Sequence, residues 1–167
     1  MKSASLLSLS LLAASCFADL EPITAEATVD APVAEVWRAW TTSKGAEAWM
    51  VAHAEIEMKV GGIWRTHYSK DGRIGDPGTI ENELLAFDPE RMFAIRIKKV
   101  PERFPFKSAF RDMWTVVYLD PVGTDRTKVT VRGMGFKDDE ESKKMRAFFE
   151  AGNKYELDVL VKHFERK

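Results

Sequence analysis

At 167 residues the chain has room for one sizeable core but not for two. Its 25 basic and 26 acidic residues leave a formal charge of −1, and 31% charged with 45% hydrophobic is an ordinary globular mix, too apolar for a disordered chain. The balance argues against nucleic acid as the main partner, because such binders need a clustered basic surface to release counterions, and no basic stripe is present.

The first eighteen residues read as an address. Met1-Lys2 is a minimal positive segment, Leu6 to Ala14 is a short apolar run, and Cys16-Phe17-Ala18 ends in small residues at the −3 and −1 positions before Asp19. This predicts a secretory signal peptide over 1–18 and a mature domain over 19–167, exported to the periplasm or secreted. A membrane anchor is the alternative reading, but the apolar run is well short of the roughly 20 residues a spanning helix needs. The mature domain would carry 24 basic and 26 acidic residues, a charge of −2. Cys16, the only cysteine, either leaves with the signal or, within Ala13-Ala14-Ser15-Cys16, is acylated and tethers the domain to a membrane. On both readings the domain has no disulfide and no thiolate metal site.

Ile23 to Val29 alternates like a strand, and Asp30-Ala31-Pro32 then carries a helix-start signature, with Val33, Val36, Trp37 and Trp40 at helical spacing. A second short helix is predicted over Lys44 to Trp49. Six strand-length runs follow: Ala54 to Met58, Ile63 to Tyr68, Gly78 to Ala86, Met92 to Lys98, Met113 to Leu119 and Lys128 to Met134. Gly61-Gly62, Lys70-Asp71-Gly72, Asp88-Pro89-Glu90 and Asp120 to Asp125 separate them with turn chemistry, and such short connections favour an antiparallel meander. From Asp138 the period becomes 3.6: Met145, Phe148, Phe149, Gly152, Tyr155, Val159, Leu160 and Phe164 share a predicted apolar face of a helix of about 27 residues. Acidic residues at its start and basic ones at its end suit the helix dipole. The order predicts an α+β fold, a curved antiparallel sheet wrapped around the last helix.

Val29-Asp30-Ala31-Pro32 with Val36-Trp37, then Trp49, Gly61-Gly62-Ile63-Trp64-Arg65, Gly78 leading to Asp88-Pro89-Glu90-Arg91, and Leu119-Asp120-Pro121 with Thr127 precede that closing helix. In this order and spacing the chain resembles the SRPBCC (START/Bet v 1-like) superfamily, and within it the bacterial homologues of the activator of heat-shock protein 90 ATPase, over about residues 23–166. The resemblance implies the helix-grip fold, with a cavity between long helix and concave sheet used for apolar or amphipathic small molecules and occasionally for catalysis.

The residues also suggest a cavity, because one helical stripe does not fill a curled sheet; Gly152, in the middle of that stripe at a cost of about 1 kcal/mol relative to Ala, leaves room for a ligand, lets a strand approach closely, or is a tolerated Gly whose gap neighbouring aromatics fill. Trp64, Tyr68, Trp114, Met134, Phe148, Phe149, Gly152 and Tyr155 are the candidate ligand-binding residues. In Ile63 to Tyr68 the more apolar parity is Trp64, Thr66 and Tyr68, which puts Arg65 and His67 on the other face and His67 in solvent. The connection Lys99 to Arg111 carries Phe104, Phe106 and Phe110 among basic residues. It could cover the pocket mouth as a lid, touch a membrane peripherally, or fold back onto the core.

Motifs for a phosphate loop, a zinc helix or a nucleophile elbow are absent, and His53, His67 and His163 lie far apart in sequence, so neither a metal nor a cofactor is expected. Catalysis would need an acid or base such as His53, Glu55, Glu81 or Tyr68 in the cavity. Three functions stay open: an exported binder of a hydrophobic or lipid-like small molecule, a cyclase- or dehydratase-like enzyme using the same cavity, and a protein-interaction module. The first is the expectation.

Overall fold

A computed structural model describes residues 19–165. The predicted signal peptide and Cys16 lie outside the described residues. Strand β1 (Ile23–Val29) leads to helices α1 (Val33–Thr41) and α2 (Ser43–Trp49), then to β2 (His53–Ile56), β3 (Ile63–His67), β4 (Ile80–Asp88), β5 (Met92–Lys99), β6 (Trp114–Val122) and β7 (Arg126–Met134), and finally to α3 (Glu140–Glu165). All strands join one antiparallel sheet in the order β1-β7-β6-β5-β4-β3-β2. The helix pair α1–α2 therefore carries the chain from one edge of the sheet to the other, and a meander brings it back.

Local chemistry fixes these boundaries. Pro32 precedes α1, and Thr42 separates the two short helices: its hydroxyl donates to Arg38 O at 2.8 Å and accepts from Gly45 N at 3.0 Å, capping α2. At the head of α3, Asp139 Oδ1 accepts from Ser142 N at 2.9 Å, while Ser142 Oγ accepts from Lys137 N at 2.7 Å. The β6–β7 turn is tighter than the run Asp120 to Asp125 suggests. The strands continue to Val122 and resume at Arg126, and Gly123 takes the positive φ of 76° the turn requires. Buried Thr127 donates its hydroxyl to Ala31 O at 2.8 Å, tying β7 to the entrance of α1.

Register slips between Glu81 and Asn82 and between Leu84 and Ala86 mark irregular pairing of β4 with β5. Such bulges add twist and bend, which helps the sheet curl. Along the paired strands one parity faces inward, carrying Trp64 and Thr66, Asn82 and Leu84, Phe93, Val117 and Val131. Helix α3, roughly 40 Å long at 1.5 Å per residue, crosses this face.

Two apolar clusters hold α3 down. Leu157, Leu160 and Phe164 belong to one with Val29, Val36, Trp40, Leu119 and Val129; Met145 belongs to the other with Ile23, Phe106, Phe110, Met113 and Phe136. The buried face of α3 is Ser142, Met145, Asn153, Leu157, Leu160 and Phe164; it shares Met145, Leu160 and Phe164 with the predicted stripe and departs from it in between. Phe148 and Tyr155 are 50% and 70% exposed. Between these shared ends the stripe follows hydrophobicity to Phe148 and Tyr155, whereas the buried face carries Asn153 and Leu157.

Candidate functional site

Between the two clusters, the middle of α3 and the concave sheet enclose a cavity of about 340 Å3. Its floor is apolar. Trp64 stacks on Phe93 with ring centroids 5.1 Å apart, and Trp40 leans on the same Phe93 at 5.7 Å, which locks the three large rings in place. Ile95, Ile97 and Val117 continue the floor. The roof is Phe149, Gly152, Asn153 and Glu156, spaced i, i+3, i+4 and i+7 and so on one side of α3. A Cβ added at Gly152 would meet nothing within 4 Å, so the helix omits a side chain where the hollow lies.

The rim is built by the loop between β5 and β6, whose first half borders the cavity and whose second half folds back onto the core. Phe106 and Phe110 are buried in the second cluster, and Val100, Pro101 and Phe104 form part of the cavity wall. Phe104 and Phe106 meet Phe148 edge-on at 5.9 and 5.7 Å, and Phe148 meets Phe149 at 5.5 Å. Glu141 of α3 fastens this loop: its carboxylate accepts from Ser108 Oγ at 2.6 Å, Ser108 N at 3.2 Å and the Lys107 amide. The Ser108 hydroxyl first, then the two amides, hold that carboxyl below the usual carboxylate range.

One corner is polar. Tyr68, at the mouth and 55% exposed as a residue, donates its hydroxyl to Glu156 Oε1 at 3.0 Å. Burial pushes the Glu156 carboxyl above the usual range, and the Tyr68 bond opposes this only in part. The phenol is raised as well, first by the protein around it and then by the neighbouring carboxylate. Thr66, Asn82 and Thr115 add neutral polar groups, and among the described residues no Lys, Arg or His lines the cavity. The Asn153 amide nitrogen and the Trp40 indole nitrogen, both on residues lining this wall, are buried with no hydrogen-bond partner among the described residues.

Of the candidate ligand-binding residues, Trp64, Tyr68, Phe148, Phe149 and Gly152 line the cavity, whereas Trp114, Met134 and Tyr155 do not. Trp114 pairs with Met134 across β6–β7, on the parity opposite Thr115 and Val117 and hence on the convex face. Residues 113–119 are apolar on both parities, so hydrophobicity alone does not choose the inward one. Tyr155 lies on the outer side of α3, 70% exposed. Asn153, Glu156 and Asn82 escaped the sequence reading because they are polar; the one signal was the spacing of Asn153 and Glu156 from Phe149 and Gly152 on a common helix side.

Of the acid–base candidates only Tyr68 reaches the cavity, since Glu55 and Glu81 pair with Arg65 at 3.2 and 3.6 Å. His67 shares the Arg65 face as expected but is buried, not solvated. The loop after β3 folds over it, and Gly72 and Gly78 lie so close that a Cβ at either would come within 3 Å of the imidazole. The β2–β3 register sets His53 opposite His67, rings 6.4 Å apart, a pairing sequence distance conceals. Among the described residues no group of three or more His, Cys, Asp or Glu is placed to hold a metal ion, and no helix is long and apolar enough to cross a membrane.

Solved structures with the same architecture include a protein from Mesorhizobium loti, 18% identical with a TM-score of 0.68 over 88% of this chain and 98% of its own. The Aha1 dimer from Colwellia psychrerythraea is 13% identical with a TM-score of 0.67, covering 87% of this chain and 97% of that one. The di-domain ARO/CYC BexL from the BE-7585A biosynthetic pathway is 15% identical with a TM-score of 0.66, over 87% of this chain and 47% of its own. These likenesses show the helix-grip fold. No curated protein matches the chain significantly. Residues 30–165 match the activator of Hsp90 ATPase homolog 1-like proteins, and the chain belongs to that family.

Proposed function

We propose that this chain is an exported binder of a hydrophobic or lipid-like small molecule, held between the sheet and α3. The observation that carries the reading is the hollow itself: about 340 Å3 is left open in the middle of the domain, walled mainly by aromatic and aliphatic side chains. Protein interiors pack to crystal-like density, and a vacant apolar volume costs stability in proportion to its size. A hollow of this size also falls within the range of small-molecule pockets. Gly152 supports the same reading, because a helix former there would add stability and take up room. The export half rests on the N-terminal pattern of residues 1–18.

Native mass spectrometry of the protein purified from its host checks both halves. The expected spectrum shows a chain beginning at Asp19 and carrying a small molecule that organic solvent removes. An uncleaved chain sinks the export reading. A chain without any adduct, which also fails to take up the neutral apolar dye Nile red, sinks the binding reading.

The hydrogen-bonded Tyr68–Glu156 pair favours a second reading, a cyclase- or dehydratase-like enzyme, since both groups exchange protons and both face the cavity. Under that reading Glu156→Gln keeps Nile red uptake and abolishes turnover of the co-purifying molecule; turnover unchanged in the variant removes it.

A further inference from the structure

The distribution of polar groups on the cavity wall says what kind of polar head the guest carries. We propose that the guest is a neutral amphiphile whose hydroxyl ends between Asn153 and Glu156, and that the cavity discriminates against free carboxylates. The inference rests on the binding reading above and narrows its ligand class.

Three observations carry it. The first is charge: among the described residues the one carboxyl in the wall is Glu156, and no Lys, Arg or His accompanies it. A carboxylate guest would place a second acid in an apolar enclosure with no cation to balance it, a costly arrangement. The second is an unmet donor. The amide nitrogen of Asn153, on a residue 7% exposed, is buried without a partner among the described residues. A buried donor left unpaired costs about 1–3 kcal/mol, so an acceptor brought by the guest is favoured there. The third is an acceptor with spare capacity. Glu156 receives the Tyr68 hydroxyl at 3.0 Å on Oε1 and makes no other hydrogen bond to described residues. A carboxyl group has acceptor positions left beyond that one bond.

Asn153 and Glu156 are three residues apart on one helix face, with Cβ atoms about 5–6 Å apart, close enough for one oxygen to lie between their side chains. A hydroxyl both donates and accepts, so a single O–H satisfies the two groups at once. An ether or ester offers no donor to Glu156, and a carboxylate offers neither a donor nor charge balance. The rest of the guest lies on Trp64, Phe93, Ile95 and Val117, which ask only for apolar surface.

The test is displacement of Nile red from the delipidated full chain at pH 7.4 by three probes of equal chain length: 1-decanol, decanoate and decylammonium. Decanol is expected to bind on the order of tenfold more tightly than decanoate. In Asn153→Leu, decanol should lose about tenfold relative to Nile red, and the melting temperature of the empty protein should not fall, since the variant removes the unpaired buried donor. Glu156→Lys should bring decanoate above decanol; should that variant not fold, the milder Glu156→Gln is expected to shrink the decanol-to-decanoate ratio. Decanoate binding as tightly as decanol overturns the proposal. So does decylammonium binding tenfold more tightly than decanol, which would make Glu156 a counter-ion for a cationic head. If Nile red binds and none of the probes displaces it, the hydroxyl assignment fails and the binding reading stands; if Nile red does not bind either, both fail.

Discussion

Helix α3 meets the same sheet in two ways. Toward its C-terminal end, Leu157, Leu160 and Phe164 join residues of α1, α2, β1, β6 and β7 in a closed cluster, in which Leu160, Val36 and Val129 have no exposed surface. One helical turn earlier, Gly152, Asn153 and Glu156 face the concave side of β3, β4 and β5 across open space. The sheet is apolar beneath both stretches. What differs is the cover: at the closed end the short helices join the core and α3 supplies long apolar side chains, while in the middle α3 supplies none at 152 and polar ones at 153 and 156. A curved sheet under a single rod stays hollow unless a second element or bulky side chains fill it.

The largest effect should come from breaking the closed end. Leu160→Ala removes a fully buried side chain from a site where neighbours on several elements are already packed, and the expected loss is about 2–5 kcal/mol of unfolding free energy by denaturant titration. A loss below about 1 kcal/mol would mean that this end is as loose as the middle, and the contrast would disappear.

Substitution at Gly152 sharpens the contrast from the other side, with a smaller effect of opposite sign. The helix is regular there and a Cβ finds no neighbour within 4 Å, so Gly152→Ala should stabilise the protein by about 1 kcal/mol, which a rise in melting temperature reports. Gly152→Trp should fold and lose Nile red uptake. Destabilisation by Ala, or undiminished uptake by Trp, would show that this face of α3 does not border the hollow.

The same contrast explains what could be read from the sequence. Elements were legible because turn chemistry such as Gly61-Gly62 and Asp88-Pro89-Glu90 punctuates strand-length runs, and because the period changes after Asp138. The closed end was legible too, since Leu160 and Phe164 are apolar and buried. In the middle of α3, hydrophobicity pulls the predicted stripe toward Phe148 and Tyr155, whereas the true face carries Asn153 and Glu156. A cavity wall needs no continuous apolar seam, and its polar groups interrupt the signal used to find it. Strand β6 fails for the opposite reason: Trp114 and Val117 are both apolar on opposite faces, and only the register with β5 and β7 tells them apart. The burial of His67 depends on two glycines in a later loop, a contact that strand parity does not describe.

The smallest effect belongs to the rim, where Glu141 holds the β5–β6 loop over the hollow. Its carboxyl lies below the usual range because the Ser108 hydroxyl and the amides of Lys107 and Ser108 favour the charged form. A carboxyl whose folded pKa lies below its unfolded value of about 4.3 adds stability above that value, and loses it as the pH falls through the lower folded value. The group is exposed, so the effect should be local and not global. In Glu141→Gln the amide protons of Lys107 and Ser108 should exchange faster than in the wild type at pH 6, and the two proteins should converge as the pH drops below 4. No difference between the two proteins at pH 6 would mean that the loop is held by its phenylalanines alone, and that the rim, like the C-terminal end of α3, is closed by packing.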